Sequence, residues 1–158
     1  MRNRRKRDGW LRTWLPVIIG LALITLSSSD LFSAQNTSGP LRWVYEALFG
    51  PIDNGRWNLI HHYFRKTGHF FGYGTFGLLW LRAWWLTVPR FRFVQDALLA
   101  LMCTGLVASA DEFHQTFLPQ RTGSPWDVML DCSGVIILEL VVYLVLRIFD
   151  PRRLAKAA

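Results

Sequence analysis

Ser109-Ala110-Asp111-Glu112-Phe113-His114-Gln115 closes one apolar stretch, and Trp126-Asp127-Val128-Met129-Leu130-Asp131 opens the next. Between them runs a turn segment containing Pro119-Gln120-Arg121-Thr122-Gly123. A third polar group, Lys66-Thr67-Gly68-His69, opens an earlier apolar stretch. Ionisable groups in or beside membrane segments cost roughly 2.5–3.5 kcal/mol each on insertion scales. A chain carrying this many is expected to gather them into one shared, hydrated site.

The composition agrees with a membrane setting. The chain has 158 residues, 51% of them hydrophobic, with eight Trp and a formal charge of +7. Length alone gives a single domain, residues 1–158. The basic runs, Arg2-Asn3-Arg4-Arg5-Lys6-Arg7 and Arg152-Arg153-Lys156, directly flank apolar segments. That placement suits the cytoplasmic flanks of membrane helices and argues against nucleic acid as a partner. Cys103 and Cys132 lack metal-ligand spacing and read as small buried residues.

The expected fold is all-α, an integral membrane bundle of about four transmembrane helices with cytoplasmic N- and C-termini. The spans run at about 10–28, 67–88, 93–113 and 126–149, the second interrupted by Arg82. Each is long enough for a hydrocarbon core of ~30 Å, and backbone groups in lipid must bond within the segment. The Trp clusters near segment ends suit an aromatic belt. With the N-terminus inside, thirteen Lys and Arg fall on the cytoplasmic side, Arg90 among them, and five on the outer side. The first span also fits a cleaved signal peptide. Residues 29–65 form an outer loop, with turns at Gly39-Pro40, Gly50-Pro51 and Asp53-Asn54-Gly55-Arg56. Within it, Leu41 to Phe49 is either a short amphipathic helix or a structured loop.

On this topology the polar motifs meet at the outer end. Lys66, His69 and Tyr73 share one helix face by their i, i+3, i+7 spacing. Asp111 shares a face with His114 and Gln115, and Glu112 points about 100° away. Asp127 and Asp131 share a face of the last span, which Gly134 extends while permitting close helix approach. His69, Asp111, Glu112 and His114 are the candidates for acid–base catalysis. Lys66, Tyr73, Gln115, Arg121, Asp127 and Asp131 are the candidates for substrate binding, with Arg121 suited to bidentate grip of a phosphate or carboxylate. His with Asp and Glu also suits a divalent metal, whose presence the sequence leaves unknown, as it does any other cofactor. The bland alternative is a set of internal salt bridges locking the bundle. His61 and His62 read as loop residues, Gln95 and Asp96 as caps of the third span, and Glu139 as a deep acid without a partner.

At these motifs the chain resembles the VanZ-like family of bacterial membrane proteins. The resemblance rests on Lys66-Thr67-Gly68-His69-Phe70 with Tyr73 and Gly77, then Ser109 to Arg121, then Asp127-Val128 and Gly134. Ser27-Ser28 after the first helix also fits, which favours its retention. Three positions depart from the pattern: Gln120 for Gly, Asp131 for Asn, and Leu138 for a second Gly, the last implying looser packing. The resemblance implies a small multi-helix protein of the bacterial cytoplasmic membrane. The family's founding member is linked to low-level resistance to teicoplanin, a glycopeptide with a lipid tail. Three readings follow: an enzyme on an anionic lipid or envelope precursor, a non-catalytic binder of such a lipid, cell-wall precursor or lipoglycopeptide, and a transport or scramblase subunit requiring an oligomer.

Overall fold

The computed structural model describes residues 2–88, 92–119, 121–150 and 154, with side chains from residue 9 onward. Arg90, Gln120, Arg152, Arg153 and Lys156 lie outside the described residues, as do the side chains of the basic run at residues 2–7. Five helices follow one another: α1 (Arg2–Ser27), α2 (Ala34–Phe49), α3 (Asn54–Thr87), α4 (Phe93–Gln115) and α5 (Pro125–Phe149). A single 3-10 turn, Asp30–Phe32, joins α1 to α2. The described residues contain no strand.

Local chemistry sets the helix ends. Ser33, Asp53 and Ser124 each turn a side-chain oxygen onto a backbone N–H of the first turn of the helix that follows, with Pro125 at the start of α5. Gly50 ends α2 at φ +88°, a conformation that costs other residues a clash at Cβ. Gln95 reaches back to the Arg92 N–H at 2.8 Å and caps α4 as expected. Asp96 does not cap: its side chain is buried at 2% exposure, and one carboxylate oxygen has no hydrogen-bond partner.

The expected outer loop is largely helical. The turn expected at Gly39-Pro40 lies inside α2. Pro40 forfeits one backbone bond, but side-chain ties hold the helix on both sides of it. Thr37 Oγ1 meets His61 Nε2 at 3.1 Å, Trp57 Nε1 donates to Ser38 Oγ at 2.7 Å, and Arg42 donates to Glu46, Asn54 and the Ile52 carbonyl. The turn expected at Asp53-Asn54-Gly55-Arg56 is instead the N-terminus of α3. That helix begins thirteen residues before the expected second span, so His61 and His62 are helical rather than loop residues.

α3 is the central helix, packed against α1 on one side and against α4 and α5 on the other. Its contact with α5 is the most extensive and depends on small residues. A Cβ at Gly134 would collide with the Phe70 carbonyl, and one at Gly77 would stand 2.6 Å from Val135 Cγ1. Leu138 does not loosen this seam, because Gly74 makes room for it: a Cβ at Gly74 would sit 2.8 Å from Leu138 Cδ1. On the α1 side, Gly20 packs against Phe76, and Trp14 meets Trp80 and Trp84 edge-on at 5.8 and 5.2 Å. These three Trp pack on one another, whereas Trp10 and Trp126 remain exposed, as an interfacial belt requires.

Among the described residues three helices are long and apolar enough to cross a membrane: Gly9–Ser27, Phe93–Gln115 and Pro125–Phe149. At 1.5 Å per residue they reach ~28 to ~37 Å, against a hydrocarbon core of ~30 Å. Their outer faces are apolar, as at Ile18, Leu23, Leu106, Ile137, Leu144 and Ile148, which suits lipid rather than water. α3, the counterpart of the expected second span, is not among these three by length and composition.

The glycine seam is testable. Gly134→Ala is expected to lower bundle stability in a detergent denaturation titration by about 1–3 kcal/mol, the usual range for overpacking. Gly105→Ala, whose Cβ would meet Cys132 Sγ at an ordinary 3.4 Å, should leave it unchanged or raise it.

Candidate functional site

The polar residues of α3, α4 and α5 converge at one end of the bundle. Lys66 Nζ pairs with Asp127 Oδ1, joining α3 to the start of α5. One turn deeper, His69 Nδ1 lies 3.4 Å from Asp131 Oδ1. The His69 ring stacks on Tyr73 at 6.1 Å and 16°. Tyr73 donates its hydroxyl to Asp111 Oδ2 at 2.7 Å, and Gln115 Nε2 donates to the same oxygen at 3.1 Å. Gln115 also approaches Ser28 Oγ at 3.4 Å, which ties α4 to the end of α1.

Glu112, a candidate that points about 100° away from Asp111, enters the cluster from the α5 side. It is buried, and its Oε2 accepts the Ser124 N–H at 2.8 Å where α5 begins. The α4–α5 turn makes this contact by folding tightly over α4: a Cβ at Gly123 would collide with the Glu112 carbonyl. Asp111 still reaches Tyr73, so both adjacent acids face partners. His114, expected beside Asp111, is exposed and takes no part in the cluster.

Arg121 lines both neighbouring cavities but turns one end of its guanidinium inward. It is 8% exposed, and its Nη2 donates to the carbonyls of Ser27 and Ser29 at 2.8 Å each. It therefore satisfies the Ser27 carbonyl at the end of α1 and shares the Ser29 carbonyl with the Phe32 N–H of the following 3-10 turn. Burial and, after it, the neighbouring Arg65 charge hold its pKa below the ordinary value.

Two cavities adjoin this cluster. The larger, of about 490 Å³, is polar and is lined by His61, His62, Arg65, Lys66, Asp127 and others. The smaller, of about 260 Å³, has an apolar wall including Ile24, Phe32, Leu41 and Phe64. Arg65, His69 and Arg121 line both. Arg65 has no hydrogen bond or ion pair among the described residues, unlike Lys66 and Arg121. Its field reaches His61, whose pKa falls below the ordinary value through burial first and Arg65 second. Arg65, Lys66 and Arg121 place three cations on the lining of the larger cavity, against one carboxylate, Asp127.

The sequence reading missed Arg65 and His61. His61, Arg65, His69 and Tyr73 recur every fourth residue on α3, a stripe visible only once the helix is extended back to Asn54. Of the ten candidate residues, nine gather around this end, and His114 does not.

The two arginines should separate by stability. Arg121→Ala, which strips the end of α1 of two charge-assisted bonds, is expected to lower the denaturation midpoint in detergent without any added ligand. Arg65→Ala should leave that midpoint within error of the wild type. Equal loss in both would remove the distinction between a bracing arginine and a free one.

A family model described as VanZ/LLP1 matches residues 13–147, most of the chain. Comparisons with curated proteins and with solved structures return no match. The chain belongs to the VanZ/LLP1 family.

Proposed function

We propose that this chain is a multi-pass protein of the bacterial cytoplasmic membrane that binds the anionic head group of an envelope lipid or lipid-linked precursor at the outer leaflet. The observation that carries this reading is the pair of adjoining cavities, one polar and one apolar, that share Arg65, His69 and Arg121. A head group in the first and an acyl chain entering the second would satisfy both. The larger volume lies in the range of small-molecule sites. Arg65 is the cation that internal pairing leaves available, and the stripe of His61 and His69 flanks it.

On this reading residues 1–158 form one membrane domain with both termini cytoplasmic, and α3 is a fourth crossing. Its half from Phe70 to Thr87 carries Arg82 as its one charge, while its first half bears the polar stripe. The Lys and Arg count favours this orientation. α1 acts as a retained helix, since Arg121 and Gln115 hold its end.

Binding suits the geometry better than turnover. His114 faces away, and Asp111 is engaged by Tyr73 and Gln115. A lipid-tailed glycopeptide offers the same chemistry as an anionic lipid, which connects the site to teicoplanin susceptibility. A second reading has its own support: the Lys66–Asp127 pair and the Tyr73–Asp111–Gln115 chain are internal contacts of the kind that lock a bundle.

Lipid retention decides between them. Wild-type protein reconstituted with phosphatidylglycerol and phosphatidylcholine should retain the anionic lipid selectively by native mass spectrometry. Arg65→Ala should weaken that retention about tenfold or more, the scale of one charge-assisted hydrogen bond. Unselective retention, or selectivity untouched by Arg65→Ala, would leave the internal-lock reading. In a sensitive host, the matching outcome is protection against teicoplanin but not vancomycin, lost in Arg65→Ala at equal membrane level.

A further inference from the structure

We propose that His69, Glu112 and Asp131 form a binding site for one divalent transition-metal ion, of the Zn²⁺ or Mn²⁺ class, beneath the polar pocket. One ligand atom from each residue falls within 4.8 Å of the others. Three different helices supply them, α3, α4 and α5, so the position is fixed by the packing of the bundle rather than by a flexible loop.

The facing atoms have no other occupation. His69 Nδ1, Glu112 Oε1 and both carboxylate oxygens of Asp131 are buried without a hydrogen-bond partner. Asp131 is fully buried and Glu112 is 5% exposed. A buried carboxylate left unpaired is strongly unfavourable. His69 Nδ1 stands 3.4 Å from Asp131 Oδ1 but is not aligned for a hydrogen bond. Two ligands each about 2.0–2.1 Å from a tetrahedral ion lie about 3.3–3.4 Å apart, so this spacing suits a shared ion.

Charge leads to the same ion. Lys66 is paired with Asp127 and Arg121 is bonded to the end of α1, so neither makes a direct ion pair with the two buried carboxylates. Even a protonated His69 would offset one of them. A divalent ion would offset both. One imidazole and two carboxylates make a nitrogen–oxygen set that suits Zn²⁺ or Mn²⁺ better than soft Cu⁺. Three protein ligands leave a coordination position open, and His69 also lines the pocket above. An ion there would add positive charge at the floor of that pocket, where the oxygen of an anionic head group could reach it.

The test reads the metal without any lipid. Full-length protein purified in detergent is stripped with EDTA and titrated with Co²⁺ and Zn²⁺. The expected result is one equivalent per chain with visible ligand-field absorption for Co²⁺. Asp131→Asn and Glu112→Gln should each weaken binding at least about tenfold. Glu139→Gln, another buried acid outside the cluster, should bind as the wild type does. Wild-type protein should also melt at a higher temperature with Zn²⁺ than with EDTA, a readout that survives if a variant fails to fold. No stoichiometric binding by wild type, no such shift, or equal binding by Asp131→Asn would overturn the site. Because no lipid enters the assay, that failure would leave the head-group reading standing.

Discussion

Two carboxylates, Glu112 and Asp131, lie out of water where three helices meet, and the polar end of the bundle is arranged around them. Burying such charge is tolerable only with partners close at hand. His69 approaches Asp131 from α3 at 3.4 Å without a hydrogen bond, and the Ser124 N–H binds Glu112 at the start of α5. Around this pair the next shell closes: Lys66 on Asp127, Tyr73 and Gln115 on Asp111. Arg121 then ties the α4–α5 turn back to the end of α1.

The convergence depends on how closely α3 and α5 approach. Gly134 lets the α3 backbone come against α5 at Phe70, one residue from His69. A side chain there would push the imidazole away from Asp131. The same seam absorbs Leu138 against Gly74, so bulk on α5 is matched by its absence on α3. Sequence signals for packing and for the site therefore coincide on adjacent residues. Away from this end the bundle is held by aromatic and aliphatic contacts. It also buries two further acids, Asp96 and Glu139, each with a carboxylate oxygen lacking a hydrogen-bond partner.

Much of this was legible from residue order alone. The third and fourth expected spans fall within two residues of α4 and α5, because long apolar runs between turn signals leave few alternatives. The gathering of Lys66, His69, Tyr73, Asp127 and Asp131 followed from helical periodicity and a shared helix end. The stretch before Lys66 was harder to read. Its Gly-Pro and Asp-Asn-Gly signals mark turns in most settings, yet Pro40 is carried inside α2 by contacts to α3, and Asp53 starts a helix. Reading that stretch as a loop hid Arg65 and His61. The bracing contacts of Arg121 were hidden for another reason: its partners are backbone carbonyls 92 and 94 residues away, which no local pattern reveals. Glu112, about 100° around α4 from Asp111, joins the cluster through the turn that folds back over that face, a contact that a wheel drawn for one helix does not display.

On the proposed topology the polar end of α3 faces outward and its other end faces the cytoplasm. Cysteine accessibility tests this orientation. In a background with Cys103 and Cys132 replaced by Ala, His62→Cys and Thr87→Cys place single thiols at exposed positions near opposite ends of α3. An impermeant maleimide applied to intact spheroplasts is expected to label position 62 at once, and position 87 only after the membrane is opened. Labelling of both in intact spheroplasts would mean that α3 does not cross, and labelling of position 87 alone would invert the orientation and place the site inside.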